Sequence, residues 1–199
     1  MSLFSPRRPG DLAKVIDQEV LGLVVTHDEK GFVSTPLPLL AEVDATGEVR
    51  ALIGHFARAN PHVDRATRTP RALVSFMGPH GYISPKMVSK SGWAPTWNYR
   101  LAQFDVEIEF ADEVASGDTA IRRLVSFMEG AEATDWSVDR VGARYRDLVS
   151  RVIAFRAKVI SSAGRFKLGQ DEDEETFVEI VSAMRDSALA EVMLNQRGR

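Results

Sequence analysis

Residues 53–62, Ile-Gly-His-Phe-Ala-Arg-Ala-Asn-Pro-His, gather an imidazole (His55), a guanidinium (Arg58) and an amide (Asn60) in one short stretch. The run 48–53 ahead of it alternates charged and apolar residues until Leu52, so the spacing predicts a strand that stops at Gly54. Pro61 then biases Asn60 towards an extended backbone. A guanidinium fork can bond two oxygens of one phosphate, and the backbone amides of Ala57 and Ala59 lie beside it, so this turn is a candidate phosphate seat. The competing reading, an ordinary polar turn with a solvated arginine, is the one that the local pattern alone favours.

Further polar and aromatic residues stand at strand breaks. Thr35-Pro36-Leu37-Pro38-Leu39 carries two prolines at alternate positions, which removes two ladder donors and confines the piece to a sheet edge or an irregular wall. His80 sits between Pro79 and Gly81, where it either satisfies a turn or faces a ligand. Thr96-Trp97-Asn98-Tyr99 pairs two aromatics with an amide. Residues 86–95 form a polar loop holding Trp93, of a length common in lids and binding segments.

Several chemistries are excluded or unsupported. With no cysteine there is no thiolate or disulfide, which fits a reducing, cytoplasmic setting. The four histidines form no helical metal-binding pair, so no metal is expected. No paired carboxylates, no Ser/His/Asp arrangement and no glycine-rich nucleotide loop after a strand stand out. No apolar run approaches the roughly 18 residues of a membrane span. A net charge of −3 argues against a surface devoted to nucleic acid. Arg140, Arg144, Arg146 and Arg151 are the one basic cluster, diluted by Asp135, Asp139 and Asp147, and read first as a solvated helix face.

The elements that must position these residues follow from periodicity. Helical spacing marks 11–20, 63–68, 119–130, 138–148 and a C-terminal helix behind the acidic run 171–175, with Ser116-Gly117-Asp118 as punctuation. Strands are expected over 21–26, 32–43, 48–53, 71–77, 101–110 and 151–160. In the fifth of these, Phe104, Val106, Ile108 and Phe110 alternate with Asp105, Glu107 and Glu109. At 199 residues and 44% hydrophobic, the chain suits one soluble domain, mainly β with peripheral helices, closed as an antiparallel barrel.

Four segments carry a family resemblance: Thr35-Pro36-Leu37-Pro38-Leu39, Gly54-His55-Phe56-Ala57-Arg58-Ala59-Asn60-Pro61, the stretch 76–85 from Phe76 to Pro85, and Pro95-Thr96-Trp97-Asn98-Tyr99. In order and spacing they resemble the PaiB-type FMN-binding negative transcriptional regulators, and Phe166-Lys167-Leu168-Gly169-Gln170 is similar to that family's C-terminal signature. The resemblance implies an antiparallel split barrel of the FMN-binding type, a homodimer with FMN near the subunit boundary, and DNA as a partner. It implies a domain over 1–165 with a helical insertion at about 116–150, and a C-terminal signature loop and helix over 166–199 packed on it. The cofactor-binding candidates are then Thr35, His55, Ala57, Arg58, Asn60, His80, Thr96, Trp97, Asn98 and Tyr99, with Asn98 bonding the polar edge of the isoalloxazine and an aromatic against its face. Lys86-Met87-Val88, Gln103 and Asp171 depart from the family pattern. An acid at 171 would repel a phosphate that it faced. Two functions stay open: a regulator that binds or senses FMN, or a flavin-reductase-like oxidoreductase using reduced nicotinamide.

Overall fold

Alternating burial along the strands builds a single seven-stranded antiparallel sheet, seen in a computed structural model that describes residues 2–130 and 136–198. The chain runs α1 (Asp11–Glu19), β1 (Leu21–Asp28), β2 (Gly31–Pro38), β3 (Leu40–Val43), β4 (Val49–Ala57), α2 (Pro61–Arg68) and β5 (Arg71–Ile83). It continues with β6 (Thr96–Ala111), α3 (Val114–Glu129), α4 (Arg144–Val149), β7 (Val152–Lys167), α5 (Glu174–Ala183) and α6 (Ala188–Arg197). Strand order is β2-β1-β5-β6-β7-β4-β3. The two edge strands, β2 and β3, are consecutive in sequence with Leu39 alone between them, so the sheet must curl until its edges meet. Leu39 is fully buried at that meeting, and its amide donates to the Val20 carbonyl at 2.8 Å.

Inside the curl, Val24, Phe56, Val74, Phe76, Phe104 and Phe155 form the core. Phe177, Ile180, Leu189 and Met193, from α5 and α6, join the same cluster. The 86–95 loop is fastened to α5: the Ser89 amide donates to Glu179 at 2.8 Å, Lys90 pairs with Asp173 at 2.8 Å, and Trp93 Nε1 donates to Glu172 at 3.0 Å. Asp173 also caps α5, accepting from the Thr176 amide at 2.8 Å.

Several expected boundaries change. The strand expected over 32–43 is two strands on opposite sheet edges, divided where Leu39 turns inward. Gly54 does not end β4, which pairs with β7 as far as Ala57. A Cβ at Gly54 would lie 2.5 Å from Leu39 Cδ2, so this glycine answers to packing and not to a turn. The break expected after Met77 is a bulge inside β5, with pairing to β6 resuming at His80. Ser116-Gly117-Asp118 lies within α3, where Gly117 lets the helix approach Val152 of β7 (a Cβ would sit 3.1 Å from Val152 Cγ2). The helix expected over 138–148 breaks at Gly142, which has φ +65°, and the C-terminal helix is two. Strand β7 runs to Lys167, seven residues beyond its expected end at Ile160.

Candidate functional site

Register divides the ten candidate residues into separate groups. On β4, His55 points away from the barrel interior opposite Ala154, and burial lowers its pKa from the ordinary histidine value. Ala57 is exposed and still paired with Val152. The Arg58 amide donates to the Arg151 carbonyl at 2.8 Å, and the Asn60 amide to Ala57 at 2.9 Å. The Arg58 guanidinium is also engaged: Nη1 pairs with Asp112, Nη2 donates to Val152 O at 3.0 Å and Nε to Ser150 O at 3.3 Å. Within one chain the Arg58 guanidinium therefore clamps the end of β4 to the turns around β6 and β7.

Asn60 and Thr35 face the opposite way. Asn60 caps α2, its Oδ1 accepting from the His62 amide at 2.9 Å. Thr35 Oγ1 lies 2.8 Å from His62 Nδ1 and 3.4 Å from Asn60 Nδ2, while His62 Nε2 reaches Thr26 Oγ1 at 2.9 Å. Thr26 and His62 are buried, so this is an internal network locking α2 against β1 and β2.

His80, Trp97 and Tyr99 do come together, on the outer face of β5 and β6. With Met77 they line an open cleft of ≈ 310 Å³. His80 stacks on Trp97 with centroids 6.0 Å apart and planes at 27°, and Tyr82 leans on the same indole at 6.1 Å. Trp97 is 50% exposed, an unusual cost for the largest aromatic unless something covers it. Two cations from β7 border this wall. Lys167 Nζ bonds Thr96 Oγ1 and, at 3.3 Å, the Trp97 carbonyl; Arg165 Nε donates to Tyr99 Oη at 2.9 Å. Among the described residues neither has a carboxylate partner. Asn98, between the two aromatics in sequence, faces inward by strand alternation: it is buried and its Nδ2 contacts Met193 Sδ at 3.6 Å, so it does not meet the cleft.

Sequence reasoning missed Arg165, and read Lys167 only as part of a C-terminal signature, because it ended β7 too early. Ser161-Ser162-Ala163-Gly164 interrupts the apolar alternation, yet the ladder with β6 continues through it, and Pro6 fills the space over Gly164. The available signal was Phe166, a buried residue between two cations, which renews the period of two. The Arg58 end follows the Ala57–Val152 pair, and Tyr99, next to the Trp97 end, lies opposite Lys167. Along β7 they are separated by roughly 50 Å of strand at about 3.3 Å per residue, before curvature shortens the path. One chain does not join them.

Comparison with known proteins decides the lineage. A family model described as "Putative FMN-binding domain" matches residues 2–161. The chain belongs to this FMN-binding family. It is 25% identical over 187 residues to the Protease synthase and sporulation protein PAI 2 of Bacillus subtilis (strain 168), covering 92% of this chain and 87% of that protein. Among solved structures, a flavocytochrome from Azotobacter vinelandii is 13% identical with a TM-score of 0.61, over 87% of this chain and 82% of that one. The FAD and heme binding protein from Mycobacterium smegmatis is 17% identical with a TM-score of 0.58, over 84% and 75%. Likeness at these identities shows the shared fold, a split barrel. The Trp97 cleft presents an exposed flat aromatic, and at its border two cations hydrogen-bonded to neutral oxygens.

The basic cluster offers less. Arg140, Arg144, Arg146 and Arg151 are exposed, but α4 is a six-residue helix about 9 Å long, too short to lie along a groove. Asp139 pairs with Arg122 at 2.8 Å, and Asp135 lies outside the described residues. Among the described residues no helix is long and apolar enough to cross a membrane.

Proposed function

We propose that the chain works in the cytoplasm as a homodimer that binds FMN on the outer face of the barrel and uses flavin occupancy as a regulatory signal. The isoalloxazine lies against Trp97 and His80, with Arg165 and Lys167 holding the phosphate. The carrying observation is the half-exposed Trp97 bordered on the β7 side by two cations that lack carboxylate partners among the described residues. The outer face around it is apolar: Leu21, Leu23, Leu73 and Met77 are 59%, 41%, 41% and 51% exposed. A second copy would cover such a patch and shut water out of the cleft. Bound flavin would supply hydride or electron exchange, and the protein would supply orientation and charge. The likeness to the sporulation protein PAI 2, 25% identical over 92% of this chain, favours binding and signalling over turnover.

Titration of the apoprotein with FMN, followed by flavin fluorescence, tests this. A charge-assisted contact contributes about 1.5–3 kcal/mol, so Lys167→Ala and Arg165→Ala should each weaken FMN by roughly 10- to 150-fold. Riboflavin, lacking the phosphate, should bind these variants and the wild type alike. Arg58→Ala should leave FMN affinity unchanged. Unchanged FMN affinity in both β7 variants, or its loss in Arg58→Ala, would return the phosphate to the β4 turn. Steady oxidation of reduced nicotinamide by the FMN-loaded protein would favour the oxidoreductase reading instead.

A further inference from the structure

At the barrel end beneath α1 there is a second cavity, of ≈ 340 Å³, unrelated to the Trp97 cleft. Its charged lining is Arg7, Arg8, Lys14 and Arg100 against a single carboxylate, Asp11, in a protein whose net charge is −3. The acid is already engaged, since Asp11 Oδ2 accepts from the Arg7 and Arg8 amides at 2.9 Å each. Those bonds fix the N-terminal segment in place and leave its two guanidinium groups at the cavity. Among the described residues the side chains of Arg7, Arg8 and Lys14 have no carboxylate partner.

Arg100 is the decisive residue. It comes from β6 on the interior side and is 8% exposed. Its Nη2 donates to Gln18 Oε1 at 2.5 Å, and Glu19 lies 3.9 Å away, but its Nε is buried with no hydrogen-bond partner. The Nε2 of Gln196, another lining residue, is buried and unpartnered as well. Both residues line the cavity, and each leaves a buried N–H unpaired, that of Arg100 packed close to Gly78; a buried N–H without an acceptor forfeits its hydration. Phe166, Leu168 and Val192 add apolar wall beside them. The volume falls at the small end of ligand sites.

We propose that this cavity binds a small phosphorylated ligand, with Arg100 as the inner anchor, Gln196 as a neutral donor, and Arg7, Arg8 and Lys14 as the outer cations. Four cations exceed the two carboxylates near them, Asp11 and Glu19, and guanidinium forks match tetrahedral oxyanions. The site stands apart from FMN, since its lining shares no residue with the Trp97 cleft.

Calorimetric titration of the full chain with inorganic pyrophosphate, at constant ionic strength and with FMN bound, tests the proposal. Saturable binding with one pyrophosphate per chain is expected, weakened at least tenfold both in Arg100→Gln and in the combined variant Arg7→Ser, Arg8→Ser, Lys14→Ser. The second variant alters only exposed side chains, so it stays informative if Arg100→Gln fails to fold. FMN affinity should be the same in the triple variant, and pyrophosphate should release no flavin. Absence of saturable binding, equal binding by the triple variant, or competition between pyrophosphate and FMN would each overturn the assignment. Citrate binding where pyrophosphate does not would overturn the phosphate class.

Discussion

His62 shows how one side chain ties chemistry to pH. Burial, reinforced by the nearby Arg65 charge, lowers its pKa from the ordinary value of about 6.5, and both ring nitrogens face threonine hydroxyls. The folded protein then binds fewer protons than the unfolded chain as pH falls through 6.5, so stability is full above that value and drops below it. His55, lowered by burial alone, acts in the same direction. Urea midpoints should therefore fall between pH 8 and pH 5.5, with a shallower fall in His62→Gln, which should also lose about 1–3 kcal/mol at pH 8. An unchanged pH slope would mean that His62 is not the titrating group. Arg58→Ala should cost only about 1 kcal/mol, because its ion pair with Asp112 is exposed. At this scale the sequence showed residue types but not directions. Trp97, Asn98 and Tyr99 were legible as a cluster, yet alternation turns Asn98 to the core and its neighbours to the surface. Thr35 and Asn60 read as polar groups near a ligand, and nothing in the sequence signals that within the chain both meet His62, which lies in the core.

Helix and strand types were largely readable because period-two and period-3.6 burial dominate this chain, as in 101–110 with its buried Phe104, Val106 and Ile108. The ends were not, for a physical reason. Gly54, the bulge after Met77 and the Ser161–Gly164 stretch look like terminators, but the ladder hydrogen bonds of a long neighbour carry a strand through weak local preference. Gly54 gives the sharpest test. A methyl there would lie 2.5 Å from Leu39 Cδ2 and 3.2 Å from Phe155 Cε1, inside the core. Gly54→Ala should destabilise by about 1–3 kcal/mol through overpacking, measured by urea unfolding, whereas Gly92→Ala should act only through its φ of +75°. Equal effects of the two would show that backbone freedom, and not contact with Leu39, explains Gly54.

Assembly is the property of the whole molecule most exposed to test. The outer face places Leu23 opposite Ser75, and Leu73 opposite Val25 and Asp105, so two glutamates there would sit in the middle of any covering interface. Leu23→Glu with Leu73→Glu should convert a sedimenting dimer into a folded monomer and weaken FMN at least tenfold. A wild-type monomer at micromolar concentration would refute the dimer. The barrel's closure also has a consequence of its own. A closed barrel is commonly shut by a ladder between its first and last strands, and such a seam can open and reseal without touching the chain. Here the seam is a covalent stitch one residue wide, Leu39, between β2 and β3. A cut at that point, with new termini made there and the old ones joined by a linker, would sever no strand pairing and yet unhem the sheet. Such a permutant would have its full set of ladders and two raw edges, and it would report how much of the fold is cloth and how much is stitching.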